Sequence, residues 1–223
     1  KAFTRNLQKK YKIPGGPKYK VFSSMDGVSK FLQELKHNYV VKFDGLAGGK
    51  GVKVSGEHLH SHEEAIQHCS NLINNKSNFV IEEKFIGEEF SLMSFCDGKT
   101  LKHMPIIQDH KRAFENDTGP NTGGMGTYSD VDHSLPFLKI KEVNEAKAIN
   151  VATANALKEE FNEGYIGILY GGFIATKNGV KLIEYNARFG DPEAMNIFSL
   201  LDTDFLEICE SLTEQRLDKV EIQ

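Results

Sequence analysis

The chain has no run of about 18 apolar residues, and its opening stretch, KAFTRNLQKKYKIP, lacks the apolar segment of a signal peptide. The sequence therefore predicts a soluble, cytoplasmic protein with no membrane partner. Cysteine is scarce: Cys69, Cys96 and Cys209 are odd in number, far apart and without CxxC spacing. Neither a disulfide framework nor a zinc site is expected from them, and reduced, packing cysteines are. An excess of basic charge is missing too, with 27 Lys and Arg against 31 Asp and Glu, a formal charge of -4. That balance argues against a nucleic-acid partner, although local basic groups can still hold a small anion. What remains is 223 residues, 39% hydrophobic and 26% charged, enough to bury the core of one large or two small domains.

Helix signals come first along the chain: Lys1 to Lys12 has a helical pattern that the prolines and glycines of IPGGP stop. A start inside a helix predicts a piece of a longer protein. Tyr19 to Phe22 reads as a strand, and Val28, Phe31, Leu32 and Leu35 fall at i, i+3, i+4, i+7, one apolar helix face. Ser61 and Glu64 form a capping-box signature before a helix to about Asn74, and FVIEEKF is the next strand. Glu89 to Cys96 and Leu101 to Ile107 flank the Asp-Gly turn of DGKT, and Ile166 to Thr176 and Val180 to Asn186 flank KNG; both read as hairpins. From Asp109 to about Ser134 no periodicity is visible, and a structureless loop of that length is expected to be functional. A long helix from Lys139 to about Asn162 and two helices in the tail complete the pattern, which is α+β. The expected organisation is an entry helix and linker at 1–19, a small lobe at 20–85 and a larger lobe at 86–223.

Four stretches carry the chemistry. VVKFDGLAGGKGVKV puts Lys42 and Lys50 around Gly48, Gly49 and Gly51, but Gly45 to Gly49 is one residue short of a Walker loop and Gly51 stands where a hydroxyl is required. A flap closing over phosphates through backbone N–H groups and a plain glycine-rich hairpin with solvated lysines read this segment equally well. In LIEYNARFGDPE, Glu184 and Asn186 share one strand face, as two oxygen ligands of a hard cation should, and Arg188 can grip a carboxylate or phosphate. A polar edge strand ending in a Gly-Asp-Pro turn is the competing reading. VIEEKFIGEEFS gathers Glu82, Glu83, Glu88 and Glu89, acceptors for ribose hydroxyls or an adenine amino group, or else a charged surface turn. TGPNTGGMG allows close backbone approach to a ligand, with Thr118, Asn121 and Thr122 as polar groups. His58, His60 and His62 sit over the capping box and predict a solvated helix start, with no metal.

Taken in order, these strings together with QDHKRAFENDTGPNTGGMGTYS closely resemble the phosphoribosylamine-glycine ligase family, a branch of the ATP-grasp enzymes, over nearly the whole chain. The resemblance implies an ATP-grasp fold of two α+β lobes clasping ATP, without the family's N-terminal Rossmann-like and C-terminal β-rich lobes. It implies ligation of glycine to 5-phosphoribosylamine through an acyl phosphate in purine biosynthesis, with ATP and Mg2+ or Mn2+. Glu184 and Asn186 are then metal ligands. Lys42, Lys50, Gly48, Gly49, Gly51, Glu82, Glu83 and Glu89 are nucleotide contacts, with Glu82 on the adenine side and Glu89 on the ribose. Lys111, Arg112, Asp117 and Arg188 are placed at the reacting groups, and Thr122, Gly123, Gly124, Arg188 and Asp191 around substrate. Glycine and 5-phosphoribosylamine are the implied small-molecule partners, along with other purine-pathway enzymes or fused domains. Another ATP-grasp carboxylate-amine ligase and a non-catalytic nucleotide-binding module are the alternatives. The family's flap commonly reads Ala-Ala-Gly-Lys-Gly where this chain has Ala47-Gly48-Gly49-Lys50-Gly51, a change expected to loosen the flap.

Overall fold

The computed structural model describes residues 1–47, 51–116 and 118–223, with the backbone alone at Asn121. The chain divides into two compact units, residues 1–12 with 16–86 and residues 13–15 with 87–223.

The first unit is built on an antiparallel four-stranded sheet in the order β1-β4-β2-β3, from β1 (Tyr19–Phe22), β2 (Tyr39–Phe43), β3 (Val52–Val54) and β4 (Phe79–Glu83). Three helices accompany it: α1 (Ala2–Lys10), α2 (Val28–Leu35) and α3 (His62–Asn74). The i, i+3, i+4, i+7 face of α2 is wholly buried and meets Phe22, Tyr39, Val41, Phe79 and Ile81 from the sheet and Ala65 and Cys69 from α3. Each large apolar side chain buried there contributes about 1.5–3 kcal/mol. Ser61 caps α3, its hydroxyl accepting from Glu64 N at 3.2 Å while Glu64 Oε2 accepts from His60 N at 2.7 Å. Burial pushes the Cys69 thiol up to about 12, so this cysteine acts as a packing group.

Of the three histidines at the start of α3, His58 and His60 are exposed as expected, while His62, its first residue, is half-buried. His58 Nδ1 accepts from Val54 N at 3.2 Å, and His62 stacks on His37 and Tyr39 with ring centroids 5.0 and 5.6 Å apart. The apolar faces of the rings, which an alternation of His with Leu and Ser does not reveal, account for the difference.

The second unit holds an antiparallel five-stranded sheet in the order β11-β10-β5-β6-β9. Its strands are β5 (Glu88–Asp97), β6 (Leu101–Asp109), β9 (Thr127–Tyr128), β10 (Ile166–Thr176) and β11 (Gly179–Asn186). β5 is buried continuously from Phe90 to Asp97 because both of its faces are covered. On one face α4 (Ile140–Phe161) contributes Asn150, whose amide donates to Leu92 O and Ser94 Oγ, both at 3.2 Å. On the other, Met93, Phe95 and Tyr170 pack with Ile197 of α5 (Glu193–Leu200), Ile208 and Leu212 of α6 (Phe205–Thr213) and Leu217 of a terminal 3-10 turn.

Asp97 shows how a buried carboxylate is normally accommodated here. Burial pushes its carboxyl up, but the N–H groups of Thr100, Lys99 and Leu217 all donate to it and hold it below the ordinary range. It thereby closes the DGKT turn and ties the terminal 3-10 turn to the sheet.

The segment from Asp109 to Ser134 is more structured than its sequence suggests. β7 (Arg112–Phe114) pairs with β8 (Thr118–Asn121), and β9 adds to the end of β6 through Gln108↔Tyr128 and Asp109↔Thr127. The described side chains of the β7–β8 ribbon are exposed or half-buried, so no apolar alternation marks it.

Candidate functional site

In the first unit a buried ion triad joins α1 to the sheet. Arg5 Nε and Nη2 donate to Glu82 Oε2 at 3.0 and 2.5 Å, and Lys42 Nζ lies 3.1 Å from Glu82 Oε1. Arg5 and Glu82 have side chains 3% exposed, and Lys42 7%. Arg5 Nη1 also donates to Gln8 Oε1 at 2.8 Å. Two cations thus converge on one buried carboxylate, whose attraction offsets the cost of burying them. Both oxygens of Glu82 are engaged within the unit, so its carboxylate acts first as the anchor of Lys42.

The other residues of this unit lie apart from the triad. Glu83, at the exposed end of β4, accepts from Lys18 N at 3.3 Å. Gly51 O accepts from Phe43 N at 2.8 Å, which keeps β2 and β3 paired up to the glycine loop. Gly48, Gly49 and Lys50 lie outside the described residues, as does Asp117 in the second unit.

In the second unit a cavity opens on the sheet face beside α5. Glu184 on β11 and Tyr170 and Gly172 on β10 form part of its wall, with Asp109 at the end of β6, Lys111 just beyond it, and Glu193 at the start of α5. Glu89, near the exposed start of β5, reaches the same cavity. Gly172 faces Glu184 across the β10–β11 ladder, and its missing side chain keeps the space in front of that carboxylate open. Asn186 Nδ2 donates to Glu184 Oε1 at 3.3 Å, so the pair does share one face of β11 as its spacing predicts. Glu193 is buried and accepts from the Tyr170 hydroxyl at 2.8 Å. Burial, then Glu193, pushes the Tyr170 hydroxyl up and keeps it a donor. Burial likewise pushes the Asp109 carboxyl up, with Lys111, 3.7 Å away, pulling in the opposite direction.

The glycine segment is fastened to this wall. Thr122 N and Oγ1 both donate to Lys111 O, at 2.7 and 3.0 Å, and Gly124 N donates to Thr122 Oγ1 at 3.1 Å. Gly124 has φ +133° and packs so closely on Pro192 that an added Cβ would lie 2.6 Å from its ring. Only glycine fits that position. Gly123 is exposed, Arg112 Nη1 donates to Gly119 O at 3.0 Å, and Arg188 Nη1 donates to Phe189 O at 2.6 Å with its side chain exposed. Asp191 is exposed beside Pro192.

A two-oxygen set such as Glu184 and Asn186 fits magnesium or manganese, which keep several waters and take one or two protein ligands beside phosphate oxygens. Among the described residues no group of three or more His, Cys, Asp or Glu is placed to hold a metal on its own.

A model of the family described as phosphoribosylglycinamide synthetase, ATP-grasp (A) domain, matches residues 1–194. The chain belongs to this family. Relatives of this chain include the phosphoribosylamine–glycine ligase of Methanocella arvoryzae, 48% identical over 223 residues, with all of this chain and 51% of that protein covered. The enzyme of the same name from Methanosarcina barkeri is 50% identical over 222 residues, covering 100% and 51%. Among solved structures, the Thermotoga maritima phosphoribosylamine–glycine ligase matches with TM-score 0.80 and 29% identity, covering all of this chain and 55% of that one. A D-alanine–D-alanine ligase from Bacillus anthracis complexed with ATP matches with TM-score 0.66 at 18% identity, over 99% and 67% of the two chains, a likeness of ATP-grasp fold. The chain thus spans about half the length of the curated relatives it matches. No helix among the described residues is long and apolar enough to cross a membrane.

The sequence pattern passes over Arg5, Asp109, Tyr170 and Glu193. Glu193 stands within the quoted GDPE string and Asp109 within QDHKR, so motif position could have flagged both. Arg5 and Tyr170 give no local signal, because their partners are 77 and 23 residues away.

Proposed function

We propose that this domain activates the carboxylate of glycine with ATP for attack by the amine of 5-phosphoribosylamine, giving glycinamide ribonucleotide, ADP and phosphate. The observation that carries the proposal is Glu184, which takes a hydrogen bond from Asn186 and lines a cavity with further carboxylates, in a chain of this family. A free carboxylate is a poor electrophile, and phosphorylation turns one of its oxygens into a leaving group. The carboxylate oxygen attacks the terminal phosphorus and ADP departs; the amine then attacks the acyl carbon, phosphate departs with that oxygen, and the amine loses a proton.

Magnesium or manganese, when bound, offsets phosphate charge as the phosphoryl group moves. Glu184 and Asn186 would hold it. In the first unit Lys42, held by Glu82 beside Arg5, would take an ATP phosphate, and the glycine loop with Lys50 would supply further contacts. Glu82 and Glu83 on β4 would lie on the nucleotide's adenine side and Glu89 at the ribose hydroxyls. Lys111, Arg112, Asp117 and Arg188 would serve the reacting groups, with Thr122, Gly123, Gly124 and Asp191 shaping the substrate side. Other purine-pathway enzymes or fused domains are the proposed protein partners.

Lys42→Met in the complete gene product tests the phosphate contact. The variant retains a neutral Arg5–Glu82 pair and should fold, while its Kd for ATP by calorimetry should rise about tenfold or more. An unchanged Kd in a folded variant would remove Lys42 from the nucleotide site.

A further inference from the structure

Among the described residues of the second unit, Asp109 is the one whose buried side chain the fold itself leaves without a hydrogen-bond partner. Its side chain is 4% exposed, yet neither carboxylate oxygen has a hydrogen-bond partner among the described residues. The nearest cation, Lys111 Nζ, lies 3.7 Å away, beyond hydrogen-bond reach, on a side chain 48% exposed. The contrast with Asp97 in the same unit is direct: that carboxylate is equally buried and accepts three backbone N–H groups. A carboxylate kept for structure is satisfied; Asp109 is not.

The cavity that Asp109 lines holds three more carboxylates, Glu89, Glu184 and Glu193. Glu193 accepts from Tyr170 and Glu184 from Asn186. Four acids against Lys111 alone among the lining side chains leave the wall negative, so the missing partner of Asp109 is cationic. The space is about 50 Å³, room for about four water-sized groups, which admits a very small organic cation.

We infer that Asp109 is the acceptor for the ammonium group of the amino-acid substrate, holding the zwitterion so that its carboxylate is presented beside Glu184. This rests on the ligase reading above. A carboxylate accepting from the ammonium holds the substrate's charged end in the cavity and rejects acids of similar size that lack it. Loop residues 122–124 lie over the same group, since a Cβ on Gly124 would be 3.1 Å from Asp109 Oδ1.

The test is Asp109→Asn in the complete gene product, with initial rates measured against glycine and ATP, glycolate as competitor, and thermal unfolding of the protein alone. The isosteric amide removes a buried charge that has no hydrogen-bond partner among the described residues, so Tm is expected to be unchanged or higher. The KM for glycine should rise on the order of 100-fold with the KM for ATP within about twofold. Glycolate, which carries a hydroxyl where glycine has its ammonium, should compete poorly with glycine in the wild type and far better in the variant. If the wild type turns over with glycine and the variant keeps its glycine KM, Asp109 is not the ammonium site and the ligase reading stands. A lowered Tm or loss of folding with an unchanged glycine KM in any soluble fraction would mark a structural residue and overturn the inference. A wild type with no glycine-dependent ADP formation would overturn the ligase reading and this inference with it.

Discussion

Glu82→Ala should lower the stability of the first unit by about 3–5 kcal/mol, the largest single effect expected in that unit. The reason is charge counting. Removing Glu82 leaves Arg5 and Lys42 side by side, 3% and 7% exposed, with no carboxylate between them. Removing Arg5 instead leaves a neutral Lys42–Glu82 pair, and Arg5→Met should cost only about 1–3 kcal/mol for the hydrogen bonds lost. In thermal unfolding the first variant should fall by about 10 °C or more and the second by clearly less. Equal losses would show that the triad is not what holds α1 to β2 and β4. The order of effects also bears on function, because a lysine held by a carboxylate that is itself held by an arginine has its position fixed before any phosphate arrives.

Glu184→Gln should leave folding almost untouched and reduce ATP-dependent turnover more than about 100-fold. Glu184 is half-buried, faces the cavity and accepts one hydrogen bond, from Asn186. Its amide replacement keeps size and polarity, so a stability change within about 0.5 kcal/mol is expected. What the substitution removes is the negative oxygen that a divalent cation requires. Steady-state kinetics and thermal unfolding of the same preparation separate the two effects. Turnover within a few-fold of wild type would exclude Glu184 as a metal ligand and leave the cavity without its proposed role.

Much of the fold is readable in short windows. The four apolar residues of α2, the Ser61–Glu64 cap and the turns at DGKT and KNG each sit within eight residues and report local geometry directly. The pairing of Glu184 with Asn186 follows from the twofold period of a strand. The ribbon β7–β8 is not readable, because its mostly exposed residues carry no apolar alternation. Nor is the Arg5–Glu82 pair, whose partners meet only after helix and sheet have packed. Asp109 is the sharpest case: as a letter it is one more acid in QDHKR, and only burial without a partner distinguishes it from the well-bonded Asp97. Sequence pattern reports periodicity; it does not report which polar groups are left unsatisfied.

The most direct test of carboxylate activation is isotope transfer. The complete gene product would be incubated with ATP, 5-phosphoribosylamine and glycine labelled with 18O in both carboxylate oxygens, and the phosphate released would be examined by mass spectrometry. One 18O per phosphate formed is expected, since the oxygen that attacks phosphorus leaves with it when the amine displaces phosphate. Glycine-dependent turnover that yields only unlabelled phosphate would contradict activation of the carboxylate by phosphoryl transfer.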